Sequence, residues 1–510
     1  MNAWNLNLDT YRDKVMGCWY GKNIGGTLGT PVEGSREMHD VKFYLHDVNG
    51  DPLPNDDLDL QLIWLKAVEQ KGILNVTPRL LGEYWVNYII GPWNEYGVCA
   101  GNIRNGFYPP LSGSLNNEHW HASNGAWIRS EVWASMFPGS PAMAAHYAWM
   151  DACCDHCGDG IFAETFTSTL ESAAYIESDL RKLIKIALAH IPENSRVARA
   201  VKLVCDSYDK GIDYRETREL IVKDSADLGW FQAPANVAFA VLGLLYGEGD
   251  FEKAICYAVN CGDDSDCTGG TAGAVMGILL GASKLPEKWT KPIGKSIKTV
   301  AVNPYGLKLP ETLEELTERV IRVAQLNAGE FMDLPRITNA PDSYTAEDLK
   351  KLGEPTMEVK RDLWEHPSDM LDYDLPYGVL SVIYENGAAM VPGETIKLTF
   401  RMTAYPYNSD ILRGTWHLPE GWSASAPGFC LRRTGSEATV TLTAGEFTQN
   451  VMYLPIDVQL SGRFAPIPLY IPVQHREGTA IKREKVPNEH DFETELARTR
   501  AICNTLLGKD

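Results

Sequence analysis

Apolar side chains recur every three or four positions from residue 11 to about residue 330, and beyond residue 340 they alternate. A helix repeats about every 3.6 residues and a strand every two, so one kind of layer cannot accommodate both patterns. The first part reads as helices punctuated by Gly, Pro and Asn, as in DDLDLQLIWLKAVEQKGI, PAMAAHYAWMDACC, APANVAFAVLGLLYGEGD and TAGAVMGILLGASKLP. The second reads as short strands between turn residues: YGVLSVIYE, ETIKLTFRMT, TWHLPEGW, ATVTLTAG, NVMYLPIDVQL and PLYIPVQ. The expected architecture is mainly α: a helical domain over residues 1–340, a linker over 341–374 with one short helix, an immunoglobulin-like antiparallel β-sandwich over 375–476, and a tail over 477–510 carrying an amphipathic helix. With 510 residues, 44% of them hydrophobic, the chain can bury a large core in each folded part.

Charge narrows the partners. A formal net charge of -20 opposes broad binding to nucleic-acid backbones, which requires a basic surface, yet it favours divalent cations. No stretch reaches the roughly 18 to 20 apolar residues of a membrane span, and the N-terminus has no signal-peptide pattern. The expectation is a cytoplasmic protein with no nucleic-acid or membrane partner, acting on a small-molecule or protein-linked glycosyl substrate, with a homo-oligomer open. Eleven cysteines, three of them crowded at Cys153, Cys154 and Cys157, suit reduced thiols better than a disulfide scaffold. A zinc site at CCDHC lacks the second ligand pair that structural zinc takes.

Two stretches carry the chemistry. PNDDLDLQLIWLKAVE at 54–69 and NCGDDSDCTGGTAGAVMGILLGA at 260–282 both set clustered aspartates at the start of an apolar helix. One or two acids suffice to cap a helix and complement its dipole. Two clusters separated by about 200 residues of sequence suit instead a hard divalent ion, which collects several oxygens from different elements.

Four segments in order resemble the ADP-ribosylglycohydrolase family, of dinitrogenase reductase-activating glycohydrolase type: GKNIGGTLGTPVEG, the NDD at 55–57, SNGAWIRSEVWASMFPGSPAMAAHYAWMDACCDH at 123–156 and QAPANVAFAVLGLLYGEGDFEKAICYAVNCGDDSDCTGGTAGA at 232–274. The resemblance spans about residues 11–330 and implies an all-helical hydrolase with a two-metal centre. It places Asn55, Asp56 and Asp57 at the first set of ligands and Asp264, Asp266 and Cys267 at the second, for one or two Mg²⁺ or Mn²⁺ ions. Ser265 stands between the paired aspartates and Asp263 replaces a usual Gly. Asn55 and Cys267 replace hydroxyl residues, and a thiol is a poor ligand for Mg²⁺. Gly26 stands where many members carry Asp.

The resemblance also makes Glu33, on a loop, the first candidate for acid/base work, with Asp57 and Asp266 as further catalytic candidates acting through metal-bound water. His156 is the expected hydrogen-bond donor to substrate. The Trp-, Tyr- and Asn-rich stretch from 85 to 127 suits a sugar or nucleobase pocket, assigned to Asn102, Ser112, Asn124 and Trp127. Arg104 and Arg129 are candidates for a pyrophosphate. The expected reaction is metal-dependent hydrolysis of an N- or O-glycosidic bond in an ADP-ribosyl or related pentofuranosyl substrate. The rival is a non-catalytic sugar- or nucleotide-binding protein on a degenerate hydrolase fold.

Overall fold

Glycine recurs every fourth residue in two helices, at Gly17, Gly21, Gly25 and Gly29 of Leu8–Gly29 and at Gly269, Gly273 and Gly277 of Ser265–Leu280. Four residues is close to one turn, so each series forms a strip along one helix face. The strips meet backbone to backbone. A Cβ on Gly25 would lie 1.8 Å from the Gly269 carbonyl oxygen, one on Gly21 1.9 Å from that of Gly273, and one on Gly17 2.3 Å from that of Gly277. At Gly29 the same atom would lie 2.2 Å from the Ser265 carbonyl oxygen. Numbers rise along one helix as they fall along the other, so the pair is antiparallel. The end of the first helix therefore lies at the start of the second.

The computed structural model describes residues 4–356, 359, 366–376, 378–403, 411–432 and 435–477. The expected tail helix lies in residues 478–510, outside the described residues. Contacts divide the chain into two units, the first comprising residues up to Ile90 together with Glu118–Ser368. It is helical, as the periodicity implies. The helices Ala233–Gly247 and Ser265–Leu280 are apolar and buried on nearly every face, which suits central positions. Leu313–Glu330 is amphipathic and buries Leu313, Leu316, Val320, Val323 and Ala324. Asn5–Asn7 and Arg336–Thr338 pair as a short parallel ladder that ties the beginning of the unit to its end.

The second unit joins Gly91–Asn117 to the chain beyond Asp369. One five-stranded sheet runs in the order Met370–Leu375, Gly378–Glu385, Thr395–Thr403, Glu437–Thr443 and Ser423–Ala424, with every pair antiparallel. The other runs Ala389–Met390, Ile467–His475, Val451–Leu460, Leu412–Trp416 and Gly428–Leu431, and only its first pair is parallel. Alternate residues point into one shared core, among them Leu398, Phe400 and Met402 from the first sheet and Leu454, Ile456 and Val458 from the second. The sheet begins at Met370, inside the expected linker, while the short helix expected there is present at Ala346–Lys351 with a Thr345–Asp348 capping box.

Residues 91–117, expected within the helical domain, belong to this second unit. Phe107, Leu111 and Leu115 enter the core between the strands. Polar contacts fix the insertion: Asn116 Nδ2 donates to Gln474 Oε1 at 2.8 Å, and Ser114 Oγ to Asp369 Oδ1 at 2.9 Å. Apolar residues four apart bury against whichever layer they meet, and the period alone does not say which.

Candidate metal centre

The glycine strips place the start of Ser265–Leu280 beside the end of Leu8–Gly29. Asp264 and Asp266 thus stand next to the turn that follows Gly29, which carries Glu33. Asn55 caps the helix Asp56–Lys71, its Oδ1 accepting from Asp57 N at 2.7 Å. The cap position of the other helix is Asp264, whose side chain makes no capping bond. Carboxylates from the two helix starts turn towards each other, Asp57 meeting Asp266 and Asp264 meeting Asp266.

Two groups of ligand atoms form, each lying within 4.8 Å of one another: Asp57, Asp266 and Cys267 in one, Glu33, Asp264 and Asp266 in the other. Asp266 is common to both. Asn55 Nδ2 donates to Asp266 Oδ2 at 3.0 Å, and Asn124 Nδ2 to Asp264 Oδ2 at 2.7 Å. Oδ1 of Asp264 and Oδ1 of Asp266 are buried and receive no hydrogen bond among the described residues. Asp56, at the same helix start, adds its charge to the field on Glu33 and Asp266.

The electrostatics follow from this crowding. Burial pushes Asp57 up to about 6, with Lys22 opposing and Asp266 adding. Asp264 is held well above the usual carboxylate range by burial and then by Asp266, and Asp266 is raised by burial and by Asp56. Glu33 is exposed as a residue, yet its carboxyl faces the cluster and rises to about 8, first through the Asp266 charge and then through burial, Asp56 and Asp57. Carboxylates so arranged repel one another unless a cation or protons intervene.

One cation is built in. Lys22 is buried, with Nζ 3.2 Å from Asp57 Oδ2 and 2.9 Å from Glu131 Oε1, and it donates to the Ile128 carbonyl at 2.6 Å. Burial alone would depress its ammonium, but Asp57 and Glu131 hold it above its ordinary range. Gln61 steadies Glu131 from the same helix as Asp57, at 2.8 Å. Gly270 leaves the room: a Cβ there would sit 3.1 Å from Asp57 Oδ2 and 3.3 Å from Lys22 Cδ. Sequence reasoning missed Lys22 and Glu131. The available signal was a lysine inside the glycine-rich apolar helix GCWYGKNIGG, where a charge requires a buried partner.

Cys267 points into the cluster, its thiol donating to Asp57 Oδ1 at 3.4 Å. Burial, with the charges of Asp264, Asp57, Asp266 and Asp56, raises the thiol well above its ordinary range, so it stays protonated. Ser265 turns away and donates to the Gly29 carbonyl at 3.1 Å. Gly26 faces Asn55, whose Nδ2 would lie 3.0 Å from a Cβ at position 26. Asn55 is thus spent on the cap and on Asp266 rather than presenting a free carbonyl oxygen.

The substrate residues expected from the sequence fall in three places. Asn124 bridges Asp264 and Trp127, whose Nε1 donates to Asn124 Oδ1 at 2.9 Å, so the pair stands behind the aspartate and orients it. His156 is fully buried, with Nδ1 2.8 Å from Asp155 Oδ1 and Nε2 3.2 Å from Ser123 Oγ. Asn102 and Ser112 belong to the second unit, where Asn102 Nδ2 donates to the Ser112 and Leu115 carbonyls at 2.9 and 2.6 Å and closes a loop. Arg129 is likewise committed, to Asp151 at 2.8 Å and Asp155 at 2.7 Å, deep in the first unit. Arg104 is exposed in the second unit.

Convergent carboxylate oxygens, two of them without a donor, fit a hard divalent cation, and the donors that would hold it are Asp57, Asp264 and Asp266 with Glu33 at the edge. Comparison with known proteins places the same part of the chain among glycohydrolases. An 89-residue stretch is 28% identical to ADP-ribosylarginine hydrolase Tri1 of Pseudomonas putida (strain GB-1), a match covering 18% of this chain and 21% of that relative. Residues 7–330, which hold every acid of the cluster and both glycine-faced helices, match the family described as ADP-ribosylglycohydrolase, and on that extent the chain belongs to the ADP-ribosylglycohydrolase family.

Proposed function

We infer that the protein hydrolyses an N- or O-glycosidic bond of an ADP-ribosyl or related pentofuranosyl substrate, with Mg²⁺ or Mn²⁺ in one or two positions. The observation that carries this reading is the convergence of Glu33, Asp57, Asp264 and Asp266 around one shared aspartate. Family membership and the similarity to an arginine-directed ADP-ribosyl hydrolase support the substrate class.

A divalent ion held there would orient the sugar hydroxyls and stabilise developing charge. The protein's own groups do the rest. Asp264 and Asp266 present their unpartnered oxygens in fixed directions, because Asn124 and Asn55 hold the other oxygen of each. Lys22 neutralises part of the charge at Asp57 without reaching solvent. Glu33 combines solvent exposure with a place in the cluster, so it moves the proton: the bond from the anomeric carbon to the leaving nitrogen or oxygen breaks, water adds to that carbon, and Glu33 protonates the leaving atom or takes the proton of the water. Paired carboxylates without a metal, as in most glycosidases, would not need so many acids.

Assaying ADP-ribosyl-arginine, other ADP-ribosyl conjugates and uncharged pentofuranosides with Mg²⁺, Mn²⁺ or excess chelator tests the reading. Ion-dependent release of the sugar is expected. Turnover undiminished by chelator rejects the metal-dependent mechanism.

A further inference from the structure

The second acidic stretch holds a residue that the metal chemistry does not use. Asp263 precedes Asp264, but its carboxylate serves other groups: Oδ1 accepts from Phe231 N at 3.0 Å and Oδ2 from Asn236 Nδ2 at 3.2 Å. Its main chain makes a two-rung ladder with the residues after Glu33, Gly34 N donating to the Asp263 carbonyl and Asp263 N to that of Ser35, both at 2.8 Å.

The rest of the turn grips the same strand of chain. His39 N donates to the Asn260 carbonyl at 2.9 Å, Val41 N to Asn260 Oδ1 at 2.7 Å, and Asn260 Nδ2 returns a bond to the Val41 carbonyl at 3.1 Å. At Gly262, with φ of 75°, a Cβ would lie 2.5 Å from the Glu37 carbonyl oxygen and 2.7 Å from that of Ser35. Arg218 staples both sides, donating to the Cys261 carbonyl at 2.9 Å and to the Arg36 carbonyl at 2.5 Å. The Arg36 guanidinium lies over the Trp230 ring, 3.2 Å from its centroid.

Besides glycines, Asp263 at φ 65° and Phe231 at φ 55° carry left-handed backbone here. For a bulky residue such as Phe231 that conformation is strained and persists only where its surroundings enforce it. The Asp263 carboxylate supplies that constraint by holding the Phe231 N–H. The Phe231 ring in turn stands 3.9 Å from the place a Gly34 Cβ would take.

We propose that the turn Asn260–Asp263 is a clamp that sets the position of Glu33 over the acid cluster, with Asp263 as the positioning residue. One residue then couples the proton-handling loop to the metal-binding turn: its backbone holds Gly34 and Ser35, its side chain holds Phe231 against that loop, and the next residue is Asp264. The proposal rests on the hydrolytic role given to Glu33 above.

The test uses the full chain with Mn²⁺ present. Asp263→Gly keeps the left-handed backbone without strain and removes the hold on Phe231 and Asn236. Asp263→Asn keeps an acceptor for Phe231 and tolerates the same backbone. In Asp263→Gly, tryptic cleavage after Arg36 and amide exchange at Gly34 should accelerate and kcat should fall by roughly 10- to 100-fold, the range for groups that orient a ligand from behind, with KM little changed. Asp263→Asn should restore all three towards wild type. Glu33→Gln with Asp263→Gly should be no slower than Glu33→Gln alone, since both act through one group. Unchanged cleavage and exchange in Asp263→Gly, or additive losses in the double variant, overturns the clamp. A wild-type protein that hydrolyses none of the glycosyl substrates rejects the proposed reaction instead, and cleavage with exchange still decides whether Asp263 holds the loop.

Discussion

Lys22 Nζ lies 3.2 Å from Asp57 Oδ2, and both side chains are only 2% exposed. A helix that supplies the glycine strip on one face thus supplies, one residue on, a buried ammonium for the acid cluster. Lys22→Met should leave Asp57 and Glu131 facing each other without a counter-charge. Breaking a buried pair in this way costs about 3–5 kcal/mol. Denaturant unfolding should show that loss in chelator, and Mn²⁺ should recover part of it by replacing the missing charge. An unchanged midpoint would mean the pair contributes nothing.

Removing an acid should act in the opposite sense on the metal-free fold. Asp266→Ala deletes the carboxylate common to both ligand groups, so hydrolysis should fall by more than about 100-fold, beyond what supporting residues produce. Repulsion among Glu33, Asp57 and Asp264 eases at the same time, so apo stability should hold or rise. Thermal unfolding and turnover measured on one preparation separate the two effects.

The metal-free protein should lose stability as pH rises. Burial raises the carboxyl of Asp57 to about 6 and that of Asp59, on the same helix with Oδ2 accepting from Val300 N and Ala301 N, to about 7, both above their ordinary value of 3.8. The folded state therefore binds protons that the unfolded chain releases, and the stability this gives is full below about pH 4 and is lost as pH climbs through about 6 to 7. Melting in chelator at pH 5 and pH 8 should show the drop, and Mn²⁺ should restore stability at pH 8 far more than at pH 5. Equal melting at both pH values would mean that burial does not raise these carboxyls in the fold.

Cys267 contributes a sulfur where hard ions prefer oxygen. Cys267→Thr should tighten Mg²⁺ and weaken a soft ion such as Cd²⁺, read by calorimetric titration of both. The thiol donates to Asp57 within the cluster, so identical affinities for both ions in wild type and variant would place it outside the metal's reach.

Much of this site was legible because its acids are local in sequence. Asp56 with Asp57 and Asp264 with Asp266 announce themselves at helix starts, and the change of period near residue 340 separates the two kinds of layer. What escaped is what only the fold brings together. Lys22 lies far in sequence from Glu131, and no spacing links them. Asn124 and Trp127 carry the residue types of a sugar pocket, but a donor and an acceptor spent on each other and on Asp264 have the same composition. Asn102 and Ser112 sit between helical stretches in the sequence, yet Phe107, Leu111 and Leu115 find their core among strands from the far end of the chain. The Gly-to-Asp change at 263 was visible, but its meaning depends on a loop more than two hundred residues away.

The glycine-faced pair also fixes when the site can exist. Gly17 meets Gly277 and Gly29 meets Ser265, so no ligand of the second set can reach those of the first until the chain has been made through residue 280. During synthesis, Leu8–Gly29 must wait with its backbone-deep face uncovered while residues 30–264 emerge, and such long-range closure is slow and exposes apolar surface. A truncated or stalled chain would carry Asp56 and Asp57 and have nothing to assemble them with.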